Sequence, residues 1–201
     1  MQMTTLKSML EIVAQWLEFQ LFPTRCLVCT CLAPHVVCAD CSEKVASPQF
    51  HELTLDGIDE AWYLLAYQGW VRQAIHAIKF KGRRSLATGL GAWCVDRLDR
   101  PPVAVDRVLA IPSHWSRRYQ RGFKAPEAIF APLLRAWDLK LSTHVLRRKR
   151  KTPPLHGLGR EQRQQVLQDV FSVAGKAERQ LAGKHVLLLD DIVTTGSTVK
   201  A

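Results

Sequence analysis

The sequence predicts an α/β protein, a parallel sheet with helices on both faces, preceded by a small metal-binding module. Three observations carry this. Helix-forming and strand-forming segments alternate through the last two-thirds of the 201 residues, as strand–helix–strand units do when they build a parallel sheet. The apolar run Val186-Leu187-Leu188-Leu189 ends in Asp190-Asp191 and continues as Ile192-Val193-Thr194-Thr195-Gly196-Ser197-Thr198, the pattern of a buried strand, a tight loop and a helix start. Two Cys-x-x-Cys pairs, Cys26/Cys29 and Cys38/Cys41, stand eight residues apart near the N-terminus. With 47% hydrophobic residues, the chain can bury one full domain core and a small appended module.

Residues 1–21 form the first element. Leu6, Met9, Leu10, Val13, Trp16, Leu17 and Leu21 recur at helical spacing, which predicts an amphipathic helix that packs on another surface. Its polar face carries Glu11 and Glu18 and few bases, so a membrane-surface role is the weaker alternative. Charge and Gln15 interrupt the apolar centre that a signal peptide needs. No apolar run reaches the roughly 18–20 residues of a membrane span. A cytoplasmic protein is expected.

Residues 22–47 hold the cysteines. Each Cys-x-x-Cys turn can present two thiolates to one metal, and in a cytoplasmic chain disulfides are the less common use of such pairs. Four sulfur ligands suit Zn2+, with redox or iron–sulfur chemistry as the alternative. Cys26, Cys29, Cys38 and Cys41 leave no open position, so the metal is expected to hold structure and not to catalyse. Cys31 is a substitute ligand or a spare thiol, and Cys94 a small core residue.

Residues 60–201 make the main domain. A strand is predicted at Trp62–Tyr67, a helix through Val71, Ile75, Ile78 and Phe80 ending near Lys81-Gly82, and a second helix over Ser85–Leu98 closed by Pro101-Pro102. Arg107–Ile111 reads as a buried strand. It runs into a loop with His114, Arg117, Arg118, Arg121 and Lys124, ahead of a helix around Glu127–Trp137. Open α/β sheets place ligands at the carboxyl ends of their strands, so Arg117, Arg118 and Arg121 are candidates for a pyrophosphate or a nucleic-acid backbone. His114 is either a general acid or base or, more commonly for a lone loop histidine, a structural hydrogen-bonder. Arg147 to Lys151 leads into Thr152-Pro153-Pro154-Leu155-His156-Gly157-Leu158-Gly159, too rich in Pro and Gly for regular structure and read as a mobile loop. A helical turn at Arg160–Val166 and a strand at Val170–Val173 follow.

The net charge is +10, and it is concentrated: 14 of the 28 Lys and Arg residues fall between Arg107 and Arg163, against three acids, Glu127, Asp138 and Glu161. That density attracts a polyanion or a phosphorylated small molecule, with a solubilising surface as the alternative. Trp115, Tyr119 and Phe123 interleave with these bases and are candidates for stacking on unpaired bases or for the core.

The run ending at Thr198 has the chemistry of a sugar-phosphate loop. Unsatisfied N–H groups at a helix start and the positive end of the helix dipole face the anion. Gly196 lets the main chain come close, the hydroxyls of Thr194, Thr195, Ser197 and Thr198 add donors, and the two carboxylates can accept bonds from sugar hydroxyls. The lysine of a Walker loop is absent. The run resembles the phosphoribosyl pyrophosphate signature of type I phosphoribosyltransferases. That resemblance assigns Asp190 and Asp191 to the ribose hydroxyls and Thr194 to Thr198 to the 5-phosphate.

Taken with Leu21-Phe22-Pro23, the Cys pairs, Tyr67, Gly69, Val71-Arg72, Ile78-Lys79-Phe80, Ile111-Pro112, Arg121-Gly122-Phe123, Arg147, Arg150 and Thr152, the chain resembles the ComF family. This implies a zinc finger fused to a type I phosphoribosyltransferase-like domain that binds phosphoribosyl pyrophosphate with Mg2+. It also implies handling of single-stranded DNA during competence and DNA uptake, beside a helicase-like competence protein. Lys124-Ala125 stands where the family has Asn-Gln, and Leu155 where it has Gln, which favours binding over turnover. An active phosphoribosyltransferase of nucleotide salvage and a non-catalytic zinc-module adaptor with a vestigial pocket are the alternatives. In the family a further helix and strand follow Thr198, so a longer natural product is expected.

Overall fold

The computed structural model describes residues 24–113, 121–150, 152, 159–175, 177–193, 196 and 198. The predicted helix over 1–21, together with His114, Trp115, Arg117, Arg118, Tyr119, Thr194, Thr195 and Ser197, lies outside them. Two compact units divide the chain, Met1–Ser47 and Pro48–Ala201.

In the first unit β1 (Thr24–Arg25) pairs antiparallel with β2 (Leu32–Ala33), and α1 (Ala39–Lys44) follows. The turn between the strands is held by its own backbone, with Thr30 N donating to Cys26 O at 2.9 Å and Cys26 N to Cys31 O at 2.8 Å. Among its described residues the buried apolar side chains are Cys26, Ala33, Val36, Val37 and Cys41.

The second unit opens with an antiparallel pair, β3 (His51–Glu52) and β4 (Trp62–Tyr63). The strand predicted to Tyr67 is cut short because the chain must turn into α2 (Gly69–Phe80), which Gly69 enters at a positive φ of 51°. Val71, Ala74, Ile75 and Ile78 of α2 are buried, the spacing of one helix face. α3 (Arg84–Val95) packs on α4 (Ala125–Ala136) at close range. The approach depends on Gly91, where a Cβ would run into the Ile129 carbonyl oxygen and meet Pro132 Cδ at 3.0 Å. Cys94 on α3 is buried, as expected of a small core residue.

β5 (Arg107–Ala110) pairs in parallel with β8 (Val186–Leu189), Arg107 opposite Val186 and Ala110 opposite Leu189. An isolated parallel bridge ties Leu141 to Val108 on the other side of β5. Among the described residues the remaining pairings are antiparallel, including β6 (Leu146–Arg148) with β7 (Phe171–Val173). α5 (Arg160–Leu167) lies between β6 and β7 in sequence, and α6 (Ala177–Leu181) precedes β8. The architecture is therefore mixed α/β, built of helices and small two-stranded sheets.

The basic stretch that leads to the expected mobile loop opens as strand β6, and Arg148 and Arg150 are engaged; residues 153–158 of that loop lie outside the described residues. The Arg148 guanidinium lies 5.2 Å from the centre of the Phe171 ring and donates to Thr152 Oγ1 at 2.6 Å. Arg150 Nη2 donates to the carbonyls of Gln168 at 2.7 Å and Val166 at 3.3 Å, at the end of α5. Among the described residues no helix is long and apolar enough to cross a membrane.

Candidate functional site

Two clusters carry chemistry, one in each unit. In the first, one sulfur from each of Cys26, Cys29, Cys38 and Cys41 falls within 4.8 Å of the others, and Cys29 Sγ lies 3.7 Å from Cys38 Sγ. A tetrahedral zinc with bonds of about 2.3 Å holds its sulfurs about 3.8 Å apart, so the four thiols fit such an ion with little movement. The backbone N–H groups of Val28 and Cys38 both donate to Cys26 Sγ at 3.4 Å, the arrangement that favours a thiolate there. Burial opposes the Cys26 thiolate, but backbone donors at Cys29, Cys38 and Val28 outweigh it and bring the group down to about 6. Burial, reinforced by neighbouring thiols, pushes Cys41 up to about 12. The four cysteines can bind a metal such as zinc, and binding would release protons. Cys31, exposed and 3.3 Å from Cys29 Sγ, stays outside the group of four.

In the second unit Asp190 and Asp191 follow the last residue of β8, at the carboxyl end of the parallel pair. Asp191 Oδ1 accepts a 2.7 Å ion pair from Lys79 Nζ, which α2 delivers from its last turn. The Asp191 side chain is 9% exposed and the Lys79 side chain 22%. Asp190 Oδ1 accepts the Asp191 N–H at 2.8 Å. Burial, then the adjacent Asp191 charge, pushes the Asp190 carboxyl from its ordinary 3.8 up to about 7. Asp106 sits at the opposite end of the same parallel pair and shows what a structural acid looks like. It accepts the His185 N–H at 2.9 Å, with Lys184 at 3.7 Å, and is held below its usual range first by that hydrogen bond.

Gly196 is buried, at a φ of 70° that favours glycine, and a Cβ there would stand 2.8 Å from Leu55 Cδ2, a methyl that can shift. Arg121 is half-buried, and its carbonyl oxygen lies 3.7 Å from where a Gly82 Cβ would be. The Arg121 main chain thus abuts the turn that follows Lys79. Phe123 is 8% exposed, which makes it core and not a platform for bases. Lys79 is the residue that reading for motifs missed. It lies outside any phosphate-loop pattern, and its only signal was its place in Ile78-Lys79-Phe80. Cavities of about 570 Å3 and about 410 Å3 both border Asp190 and Val193; Phe50, Trp62 and Trp137 line the first, and Tyr67 and Asp191 the second.

A mixed α/β protein with a cysteine cluster is the class these features define. No protein-family model matches the chain. Over 130 residues, 62% of the chain, it is 29% identical to the DNA utilization protein YhgH of Escherichia coli K12, and the match spans 56% of that protein. It is 32% identical over 135 residues to the protein of the same name from Salmonella typhi, again across 56% of the relative. Competence protein F of Haemophilus influenzae is 28% identical over 94 residues, 47% of the chain and 41% of the relative. These relatives support a ComF-like family. The chain spans about half the length of the curated relatives it matches.

Proposed function

We propose that the chain is a ComF-type, type I phosphoribosyltransferase-like protein that binds phosphoribosyl pyrophosphate and handles single-stranded DNA in competence and DNA uptake. Its cysteine module holds a structural zinc. The observation that carries the sugar-phosphate reading is the position of Asp190 and Asp191, at the carboxyl end of a parallel strand, with Asp191 three residues ahead of Thr194 and a left-handed glycine at 196. The acids take the ribose hydroxyls, and the Thr194–Thr198 loop takes the 5-phosphate through its N–H groups and hydroxyls. Arg117, Arg118 and Arg121 neutralise the pyrophosphate, on which Mg2+ arrives. Lys79 already neutralises Asp191, so the acid pair accepts hydroxyl donors and does not need the cation. A cytoplasmic location and a helicase-like partner complete the reading.

Transfer of the phosphoribosyl group is the second reading, favoured by the room beside Asp190, where Phe50, Trp62 and Trp137 line the larger cavity. A nitrogen of the acceptor base would form the new bond at the anomeric carbon as pyrophosphate leaves, with Asp190 and Asp191 holding the ribose as positive charge develops on the ring.

Calorimetric titration with phosphoribosyl pyrophosphate and Mg2+ tests the first reading. The chain binds, and an Asp190→Asn, Asp191→Asn double variant of equal melting temperature does not. Equal binding by both overturns the site, and no binding by a folded wild-type chain overturns the reading. Pyrophosphate release on adding free bases separates transfer from binding alone.

A further inference from the structure

The last turn of α2 has two faces. Lys79 reaches Asp191, whereas the next residue, Phe80, is 61% exposed, more than any other large apolar side chain among the described residues. Its ring rests on that of His76, one turn earlier, with centroids 4.5 Å apart and planes tilted by 36°. Exposed Arg72 lies on the same row of α2, and exposed Lys81, Arg83 and Arg84 occupy the turn into α3. From Ala61 to Val95 the sequence holds no acid. An ordinary solvated helix face mixes both signs of charge and hides its aromatic rings. This one combines an open ring with charge of a single sign.

We propose that Phe80 and His76 form a stacking platform for the unpaired bases of single-stranded DNA, with Arg72, Lys81, Arg83 and Arg84 engaging its phosphates. The inference rests on the single-strand part of the function proposed above and gives it a location that the run from Arg107 to Arg163 did not suggest. Every base offers a π-face to such a ring, and cations along the backbone supply affinity without sequence preference. A duplex hides those faces within its stack. A membrane would need a wider apolar patch than one ring pair, and an acidic peptide would use the cations but gain nothing from an open ring.

Fluorescence anisotropy tests this with a labelled oligo-dT of about 20 nucleotides, longer than the roughly 4–16 nucleotides one such site covers. Phe80→Ala removes an exposed ring and keeps the fold, which far-UV circular dichroism checks. It is expected to weaken binding by ~5-fold to ~100-fold, and Phe80→Trp to restore it. An Arg83→Gln, Arg84→Gln variant flattens the dependence of log affinity on log salt by ~0.7 for each phosphate that is no longer neutralised. Wild-type affinity in Phe80→Ala, or tighter binding of a duplex of the same length, overturns the platform. If Phe80→Ala is silent while Arg147→Gln with Lys149→Gln weakens binding, the platform is wrong and the single-strand reading stands. If the wild-type chain binds no oligonucleotide, both fall.

Discussion

Among the described residues of the first unit the buried apolar side chains are Cys26, Ala33, Val36, Val37 and Cys41, and the strands are two residues long. In the second, Ile78, Val108, Leu133, Leu167 and Val170 are almost wholly buried, and three helices run to 12 residues. Among residues 24–47 a core of a few small side chains offers little against the conformational entropy of the segment, and the four convergent sulfurs are placed where a metal could hold it. The second is held by apolar packing, and its polar groups are free to be arranged for ligands. The difference separates what each unit's charged and sulfur groups are for. In the first they are the fold itself, and in the second they sit at the ends of elements that packing has already fixed.

Metal removal breaks the comparison most severely. A strong chelator, or Cys26→Ser or Cys41→Ser, is expected to release zinc and unfold residues 24–47, because about 10–16 kcal/mol of metal-binding energy serves as folding energy in such modules. Hydrogen exchange should show protection lost there and kept on α3 and α4. Cys31→Ser should retain the metal, and zinc loss in that variant would make Cys31 a ligand.

Gly91→Ala probes the opposite unit. Alanine gains about 1 kcal/mol of helix propensity over glycine, but here its Cβ meets the Ile129 carbonyl, and forcing two helix backbones apart costs about 3 kcal/mol, which outweighs that gain. Chemical denaturation should show the second unit destabilised, with zinc content unchanged. A stabilised variant would mean that α3 and α4 pack less closely than described.

The smallest effect is pH-dependent. Asp190 keeps a proton in the folded chain that the unfolded chain releases, since its folded value near 7 exceeds the ordinary 3.8. Its stabilising contribution is full below the unfolded value and is lost as pH rises through the folded one. The melting temperature of the second unit should therefore decline from about pH 4, just above the unfolded value, to about pH 8, just past the folded one, and less so in Asp190→Asn. Affinity for phosphoribosyl pyrophosphate should rise over the same window, because the ionised carboxylate accepts sugar hydroxyls. A decline of equal size in Asp190→Asn would place the titration elsewhere.

Several elements could be read directly from the chain because their signals are local. Val186–Leu189 is the predicted strand, and the periodicity of Val71, Ile75 and Ile78 marks the buried face of α2. The spacing of the two Cys pairs anticipated the sulfur cluster, since two turns of Cys-x-x-Cys need only be brought together once. The strand β6 was hidden by its run of bases. Its order comes from Phe171, Thr152 and the end of α5, some of which lie more than a dozen residues away. Phe123 could be assigned to core or to surface only once its neighbours were in place.

The sequence by itself determined the strand at Val186–Leu189, the buried face of α2 and the four cysteines that converge, because backbone preference, residue chemistry and short spacing are properties of neighbours along the chain. Tertiary structure alone decided that Lys79 pairs with Asp191 across more than a hundred residues, that Arg148 and Arg150 are engaged by the fold, and that Phe80 faces solvent. Those outcomes follow from which surfaces bury one another. Burial and long-range charge pairing are set by distances in space, which sequence separation does not encode.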